Sequence, residues 1–386
     1  MQNVPVVAGD CGNTSDKLRV RQTIAFQETP MPFDARNDLP ETPALVLDES
    51  VVQANIDRLQ AHCDARGVRL RPHIKTHKIP RFALAQVAAG AAGITCQKIG
   101  EAEVMADAGL DDILITYNIV GAEKCARLRR LSDRLRHLAV TVDSAATVDG
   151  LSAAFETAER PLVVLVECDT GAGRCGVQSP EEAAALAARI EAAPGLSYGG
   201  LMTFPAVGDL DGVARFMRRA LELVAERGLS CREVSSGGTP DMWKSGEDDF
   251  VTEYRAGTYI FNDRSLVNRG TVPLEACAAR VHATVVSAPT PTRLVVDAGS
   301  KVLTTDLFGQ TGHGTVIGHP EADVVGLSEE HGVIHLPKDH GLAVGDRVEI
   351  VPNHICVVVN MFDEIFLRRT DGTLETVPVA ARGKVT

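Results

Sequence analysis

No stretch of this 386-residue chain approaches the roughly 20 consecutive apolar residues that a membrane-spanning helix needs. The first forty residues hold no apolar segment of the secretory-signal kind, so none is expected. Positive charge is in short supply, with 39 Lys and Arg against 51 Asp and Glu and a net charge of −12. A surface of that sign repels nucleic acid and anionic lipid, and neither is expected as a partner. The nine cysteines form no C-x-x-C and show no disulfide-like spacing. Free thiols in a reducing cytoplasm are therefore expected, with Cys11, Cys63, Cys96, Cys125, Cys168, Cys175, Cys231 and Cys277 read as packing or surface residues. Trp243 is the sole tryptophan, and a packing role is expected for it.

What is present reads as a folded α/β protein too long for one ordinary domain. Residues 1–41, with several Gly and Pro, read as an N-terminal extension. A short strand at 44–47 leads to Asp48, an N-cap candidate, then to Val52, Ile56, Leu59 and Cys63 on one helical face, closed by Gly67. From there strand-like runs at 68–73, 93–96, 112–116, 138–143, 162–167, 196–203, 231–235 and 253–261 alternate with amphipathic segments at 81–89, 100–108, 122–131, 145–158, 180–193 and 212–227. Strand–helix alternation implies a parallel sheet with right-handed crossovers, and eight strands imply a (β/α)8 TIM-like barrel, here over 42–269. Beyond it, runs at 281–287, 293–297, 332–336, 347–350, 355–360 and 364–368 are cut by Gly, Pro and Asp turns. Without a convincing helix between them, 270–386 reads as a C-terminal all-β domain.

Barrel active sites lie at the C-terminal ends of the strands. Lys75 ends the first barrel run, and His73, two residues earlier, is expected on the same inward face. A buried lysine there has a lowered pKa and can form a Schiff base, the competing reading being a solvated loop lysine. Ser236-Gly237-Gly238-Thr239 follows the seventh run, and Arg255, Gly257, Thr258 and Tyr259 lie in the eighth, where such barrels often hold phosphate. A tight turn is the alternative. Arg174 sits on a glycine-rich turn after the fifth run, placed for an anionic oxygen or for a surface ion pair. His354 and Cys356, read as strand neighbours, project to one side and can share a metal, imidazole plus thiolate favouring zinc. Packing is the alternative for Cys356, and the cluster Glu329-Glu330-His331 is either a neighbour of that metal or a plain turn. A lysine, a phosphate cradle and a metal pair together suggest pyridoxal phosphate chemistry.

These segments together resemble the D-threonine aldolase and D-serine dehydratase family, fold-type III pyridoxal phosphate enzymes with an alanine-racemase-like barrel. The markers are Arg71-Pro72-His73-Ile74-Lys75, Cys96-Gln97-Lys98, Gly173-Arg174-Cys175-Gly176, Ser236-Gly237-Gly238-Thr239, Ala256-Gly257-Thr258-Tyr259, Glu330-His331-Gly332, Pro352-Asn353-His354 and Ala381-Arg382-Gly383. The resemblance implies that Lys75 carries pyridoxal 5'-phosphate, with His73 and Gln97 among the cofactor-binding residues. It implies that Ser236 to Thr239 and Gly257 to Tyr259 hold the phosphate. Arg174 would face the phenolate and Arg255 the pyridine nitrogen. His354 and Cys356 would bind a divalent metal, zinc or manganese, and the protein would be a homodimer acting on small D-amino acids. Cys96-Gln97-Lys98, Gly173-Arg174-Cys175 and Ala381-Arg382-Gly383 look like the aldolases. His354-x-Cys356 looks like the dehydratases, since the aldolases usually place Asp at that position. Met202-Thr203-Phe204-Pro205 lacks the Tyr or His usual there. Retro-aldol cleavage of a D-3-hydroxy amino acid to glycine and an aldehyde is thus the leading expectation, with dehydration to a 2-oxo acid and ammonia second. Racemisation and non-catalytic carriage of the cofactor are remoter.

Overall fold

The computed structural model describes residues 41–386. The expected extension, Glu41 apart, and Cys11 lie outside the described residues. Strand β1 (Ala44–Asp48) ends at Asp48, whose carboxylate accepts from the N–H groups of Ser50 and Val51 and so caps α1 (Glu49–Asp64). Val52, Ile56, Leu59 and Cys63 are buried as their spacing implies. Gly67 then turns the chain at φ +67°, a region open to glycine without a Cβ penalty.

The barrel follows as β2 (Arg69–Leu70), α2 (Pro80–Ala88), β3 (Ile94–Cys96), α3 (Ile99–Asp107), β4 (Asp112–Ile115), α4 (Ala122–Ser132), β5 (His137–Val142), α5 (Ala145–Phe155), β6 (Leu162–Cys168), α6 (Pro180–Ala192), β7 (Leu196–Thr203), α7 (Leu210–Glu226), β8 (Glu233–Ser236) and β9 (Glu253–Tyr254). The eight strands form one sheet in the order β2-β9-β8-β7-β6-β5-β4-β3, every pair parallel. A parallel bridge between His73 and Thr95 joins the two ends, with the Thr95 N–H donating to the Pro72 carbonyl at 2.7 Å. Helices cover the outer faces and side chains fill the inside, so strands such as β5 and β6 are apolar along nearly their whole length.

Two expected strands are shorter than their apolar runs. The run 68–73 pairs as β2 only at Arg69 and Leu70, and Lys75 stands on a 3-10 turn, Ile74–Thr76, rather than on a strand. His73 accepts the Lys75 N–H on Nδ1 at 3.3 Å, a local bond that competes with the ladder. Likewise the run 253–261 leaves the sheet after Tyr254 and forms the 3-10 turn Thr258–Ile260.

After α8 (Arg264–Asn268) come β10 (Ala279–Thr290), β11 (Arg293–Val296), α9 (Ser300–Leu303), β12 (Gly314–Val316), β13 (Asp323–Leu327), β14 (Gly332–His335), β15 (Arg347–Pro352), α10 (Ile355–Met361), β16 (Glu364–Arg368) and β17 (Leu374–Pro378). Strands run β13-β14-β11-β10-β1-β16-β17, with β15 beside β10 and β12 beside β15. Strand β1 lies within this sheet, antiparallel to β10 and parallel to β16. From β1 onward the described chain therefore begins in the second sheet, builds the barrel and returns, so a cut at residue 270 divides the sequence but not the sheets. Leu45 and Leu47 pack with Val281, Ile350 and Leu367 in the core of this sheet. The expectation of a helix-free C-terminal region is corrected by α9 and α10. Residues 355–360 are helical because Ile355, Val358 and Val359 bury one helical face at spacings of three and four. No helix among the described residues is long and apolar enough to cross a membrane.

Candidate active site

A cavity of about 280 Å³ is lined by residues that follow the barrel strands: Gln97 after β3, Arg174 after β6, Phe204 after β7 and Gly237 after β8. Lys75 and His73 reach it from the turn after β2, and His354 and Cys356 from the start of α10. Sequence-remote groups thus meet at the C-terminal mouth, where the barrel carries its chemistry.

The Lys75 turn is fixed on several sides. With Nδ1 of His73 accepting from the Lys75 N–H, Nε2 donates to Gln97 Oε1 at 3.0 Å, and Gln97 Nε2 donates to the Thr116 carbonyl at 2.8 Å. Glu101 accepts the Gln97 N–H at 2.8 Å and pairs with buried Lys78 at 2.8 Å. Burial, reinforced by the charges of Arg174 and Arg255, lowers the Lys75 pKa, with Cys356 and Glu101 opposing it. Burial and Lys75 hold His73 well below its ordinary value, so its ring is neutral.

Arg255 is buried at the base of the cavity. Its Nη1 donates to Ser235 Oγ at 2.6 Å and its Nη2 to the Thr203 carbonyl at 2.8 Å. Ser235 passes the bond on to Glu253 at 2.6 Å, which also accepts from Arg71 Nε at 2.6 Å, and Arg71 reaches Asp112 at 2.6 Å. Alternating charges therefore run inside the barrel. Arg174 is half exposed, with its guanidinium 4.8 Å from the Phe204 ring centroid and 3.9 Å from Glu167. Part of the cavity wall is bare backbone, at Gly237 and Gly257. A Cβ on Gly257 would meet the His73 carbonyl and Thr76 Oγ1 at 2.9 Å, and one on Gly237 (φ +116°) would enter the Tyr254 ring at 2.6 Å. Such bare backbone beside cations suits a phosphate, and a desolvated lysine amine suits an aldehyde, so the residues present fit pyridoxal phosphate.

Although the strand reading of His354-x-Cys356 fails, the pair converges. His354 is the N-cap of α10 and Cys356 lies in its first turn, hydrogen-bonded to His354. Cys356 Sγ also lies 3.1 Å from Thr76 Oγ1 and 3.6 Å from Thr258 Oγ1, so it touches both the lysine turn and the glycine cradle. Burial raises the thiol, but the His354 bond and charge outweigh it and bring the pKa below its ordinary value. Burial lowers His354, but Cys356 and Asp306, whose carboxylate lies 2.6 Å from Nδ1, bring it up to about 9. No group of three or more His, Cys, Asp or Glu side chains arranged for a metal occurs among the described residues. Two protein ligands with room for others suit a catalytic rather than a structural metal.

Two expected cradle residues present no side chain to the cavity. Tyr259 is buried and its hydroxyl accepts from Gln86 Nε2 at 2.9 Å. Ser236 lines a smaller neighbouring cavity. Gly238, Thr239 and Thr258 do line the main one. Glu329 and Glu330 pair with Lys301 at 2.9 and 2.6 Å on the β13–β14 turn, which settles that cluster as a turn away from the cavity. Trp243 packs on His62 and Arg58. Sequence reasoning passed over Asp263, which lines the cavity and accepts from Leu266 N–H at 3.3 Å and Ile355 N–H at 3.2 Å, capping α8 and holding α10. An Asp three residues before an apolar position was the available signal. Phe308 and Asp306, in the loop after α9, carried none.

Residues 47–265 match the family model described as "Alanine racemase, N-terminal domain", and residues 278–368 match the "Putative serine dehydratase domain". A D-threonine aldolase from Arthrobacter is 34% identical over 360 residues, 89% of this chain and 93% of its own length. D-threo-3-hydroxyaspartate dehydratase from Delftia is 33% identical, over 87% of this chain and 96% of that one. A cysteine-to-alanine variant of that dehydratase is described in a metal-free form. The crystal structure of D-threonine aldolase from Filomicrobium marinum superposes with a TM-score of 0.81 at 34% identity, covering 90% of this chain and 97% of that one. Barrel, second sheet and site define a fold-type III pyridoxal-phosphate enzyme, a lyase. Within that class, the chain belongs to the D-threonine aldolase and D-serine dehydratase family.

Proposed function

We propose that this enzyme cleaves the Cα–Cβ bond of D-3-hydroxy amino acids to give glycine and an aldehyde, with a divalent metal, zinc or manganese, at His354 and Cys356. The observation that carries the reading is that this pair lines the same cavity as Lys75. When bound, pyridoxal phosphate supplies an electron sink for the bond broken at Cα. Lys75, its pKa lowered by burial, would offer its amine for covalent attachment, with a larger neutral share than an exposed lysine has. Backbone around Gly237, Gly238 and Gly257 would take the phosphate, while Arg174 and Arg255 would orient the ring. His354 and Cys356 would hold the metal, whose chemistry there is Lewis-acid polarisation of a substrate oxygen. A homodimer is part of the reading, supported by the family resemblance, and a cytoplasmic location, supported by the cysteines without disulfide-like spacing; a monomeric mass in sedimentation would remove the dimer.

The thiol at position 356 favours a second reading, in which Lys75 removes the Cα proton and the 3-hydroxyl leaves, giving a 2-oxo acid and ammonia. Incubation with D-threonine, D-serine and D-3-hydroxyaspartate, with and without chelator, decides between them. Glycine plus acetaldehyde from D-threonine, lost on chelation, supports cleavage. Pyruvate plus ammonia from D-serine transfers support to dehydration. Chelator-resistant interconversion of enantiomers, or no product at all, sinks both. Separately, Cys356→Ala is expected to weaken metal binding by more than the about 10–100-fold typical of outer-shell losses, with visible cofactor absorbance retained. Unchanged metal content, read by elemental analysis, would return Cys356 to a packing role.

A further inference from the structure

His354 is constrained on more than one side by a single loop, residues 304–312, between α9 and β12. Asp306 Oδ2 lies 2.6 Å from His354 Nδ1, and the Phe308 ring centroid stands 4.7 Å from the imidazole centroid, tilted 59°. The loop is itself clamped. Asn353, buried and immediately before His354, donates through Nδ2 to the Asp306 carbonyl at 3.1 Å and to the Gly312 carbonyl at 2.9 Å. Arg264 Nη1 donates to Asn353 Oδ1 at 2.9 Å and to the Thr311 carbonyl at 2.9 Å. At the loop's entry, the Asp306 N–H donates to Thr304 Oγ1 at 3.3 Å. Thr304 and Phe308 take φ +64° and +48°, left-handed conformations that residues with side chains seldom adopt. Barrel, loop and the start of α10 thus share one hydrogen-bonded knot whose outlet is the imidazole.

Resting on the metal reading above, we propose that Asp306 is a positioning residue that fixes His354 as the Nδ1–H tautomer and thereby presents Nε2 to a divalent cation beside Cys356. Once the imidazole gives up its second proton, as a histidine ligand must, a carboxylate accepting from Nδ1–H leaves the lone pair on Nε2 and increases its basicity, which is how outer-shell carboxylates tune histidine ligands. Asp306 does not line the cavity, whereas His354 and Cys356 do. It therefore acts through His354 and is not a third ligand. Phe308 also lines the cavity and packs its ring against the His354 imidazole.

The test measures zinc and manganese affinity of metal-stripped, cofactor-loaded protein by competition with a chromophoric chelator. Four proteins are compared: wild type, Asp306→Ala, Asp306→Asn and His354→Ala. Asp306→Ala is expected to weaken binding about 10–100-fold. Asp306→Asn, whose amide oxygen still accepts from Nδ1–H, is expected to recover most of that loss. Cofactor absorbance and thermal stability of the metal-stripped protein are expected to stay at wild-type values in both. Affinity unchanged in Asp306→Ala while His354→Ala abolishes it overturns this inference alone. So does a loss in Asp306→Ala equal to that in His354→Ala, because Asp306 would then be a ligand. A drop in cofactor absorbance or metal-free stability that matches the loss would make the contact merely structural, and also overturns it. Absence of metal binding in the wild type overturns both this inference and the metal reading beneath it.

Discussion

Lys75→Ala is expected to yield a folded protein that holds no cofactor covalently and turns over at least about 10²–10⁴-fold more slowly, the size that loss of proton transfer alone would give where Lys75 is also the base, as in the dehydration reading. Two lysines of the same segment compete for the role, and their surroundings separate them. Lys78 is buried and paired with Glu101 at 2.8 Å, a bond it would have to abandon to reach an aldehyde. Lys75 lines the cavity, and burial together with two arginines depresses its pKa, so a larger share of the amine is neutral. Its backbone is held by His73, and its neighbour Thr76 by Cys356. Truncation should therefore remove the amine without collapsing the turn. Loss of visible absorbance, and mass spectrometry of borohydride-reduced wild type showing the adduct at residue 75, are the expected readouts. A reduced adduct on Lys78, or a yellow Lys75→Ala protein, would refute the assignment.

The sequence was legible where burial is periodic and obscure where bonds are local. Helices α1 to α7 and most barrel strands follow their apolar spacing, because each has one outcome that buries its side chains. Lys75 and Cys356 were legible as residues but not as conformations. Both stand on short helical turns, where a His73 side-chain bond in one case and the burial of Ile355 and Val358 in the other override strand propensity. The direction of the Tyr259 side chain was obscure for a related reason: β9 ends at Tyr254, and the following 3-10 turn sends the phenol towards Gln86. Asp306 left no periodic trace, because its role exists only across the loop-to-helix contact with His354, 48 residues away.

Glu253→Gln is expected to lower the free energy of unfolding by about 3–5 kcal/mol near neutral pH, the usual cost of removing one partner from a buried ion pair. Glu253 has no exposed side chain and lies 2.6 Å from both Arg71 Nε and Ser235 Oγ. Burial pushes its carboxyl up, but Arg71 and the two hydrogen bonds outweigh that, and the folded-state pKa falls below its ordinary 4.5. Its neighbour Glu233 moves the other way, raised by burial and by the Glu253 charge, so Glu253 is the one of the two that keeps its charge to lower pH. A depressed carboxyl stabilises the fold above its unfolded pKa, and the contribution fades as pH falls through the folded value. The gap between wild type and variant should thus be widest above pH 4.5 and close as the solution is made more acidic. Urea midpoints with unchanged m-values measure it. A neutral-pH difference within about 0.5 kcal/mol, the range of ordinary surface changes, would show that the charge does not hold the barrel interior. The same substitution leaves Ser235 bridging Arg255 to an uncharged amide. A large loss therefore identifies Glu253 as the counter-charge that lets an arginine remain at the base of a desolvated site.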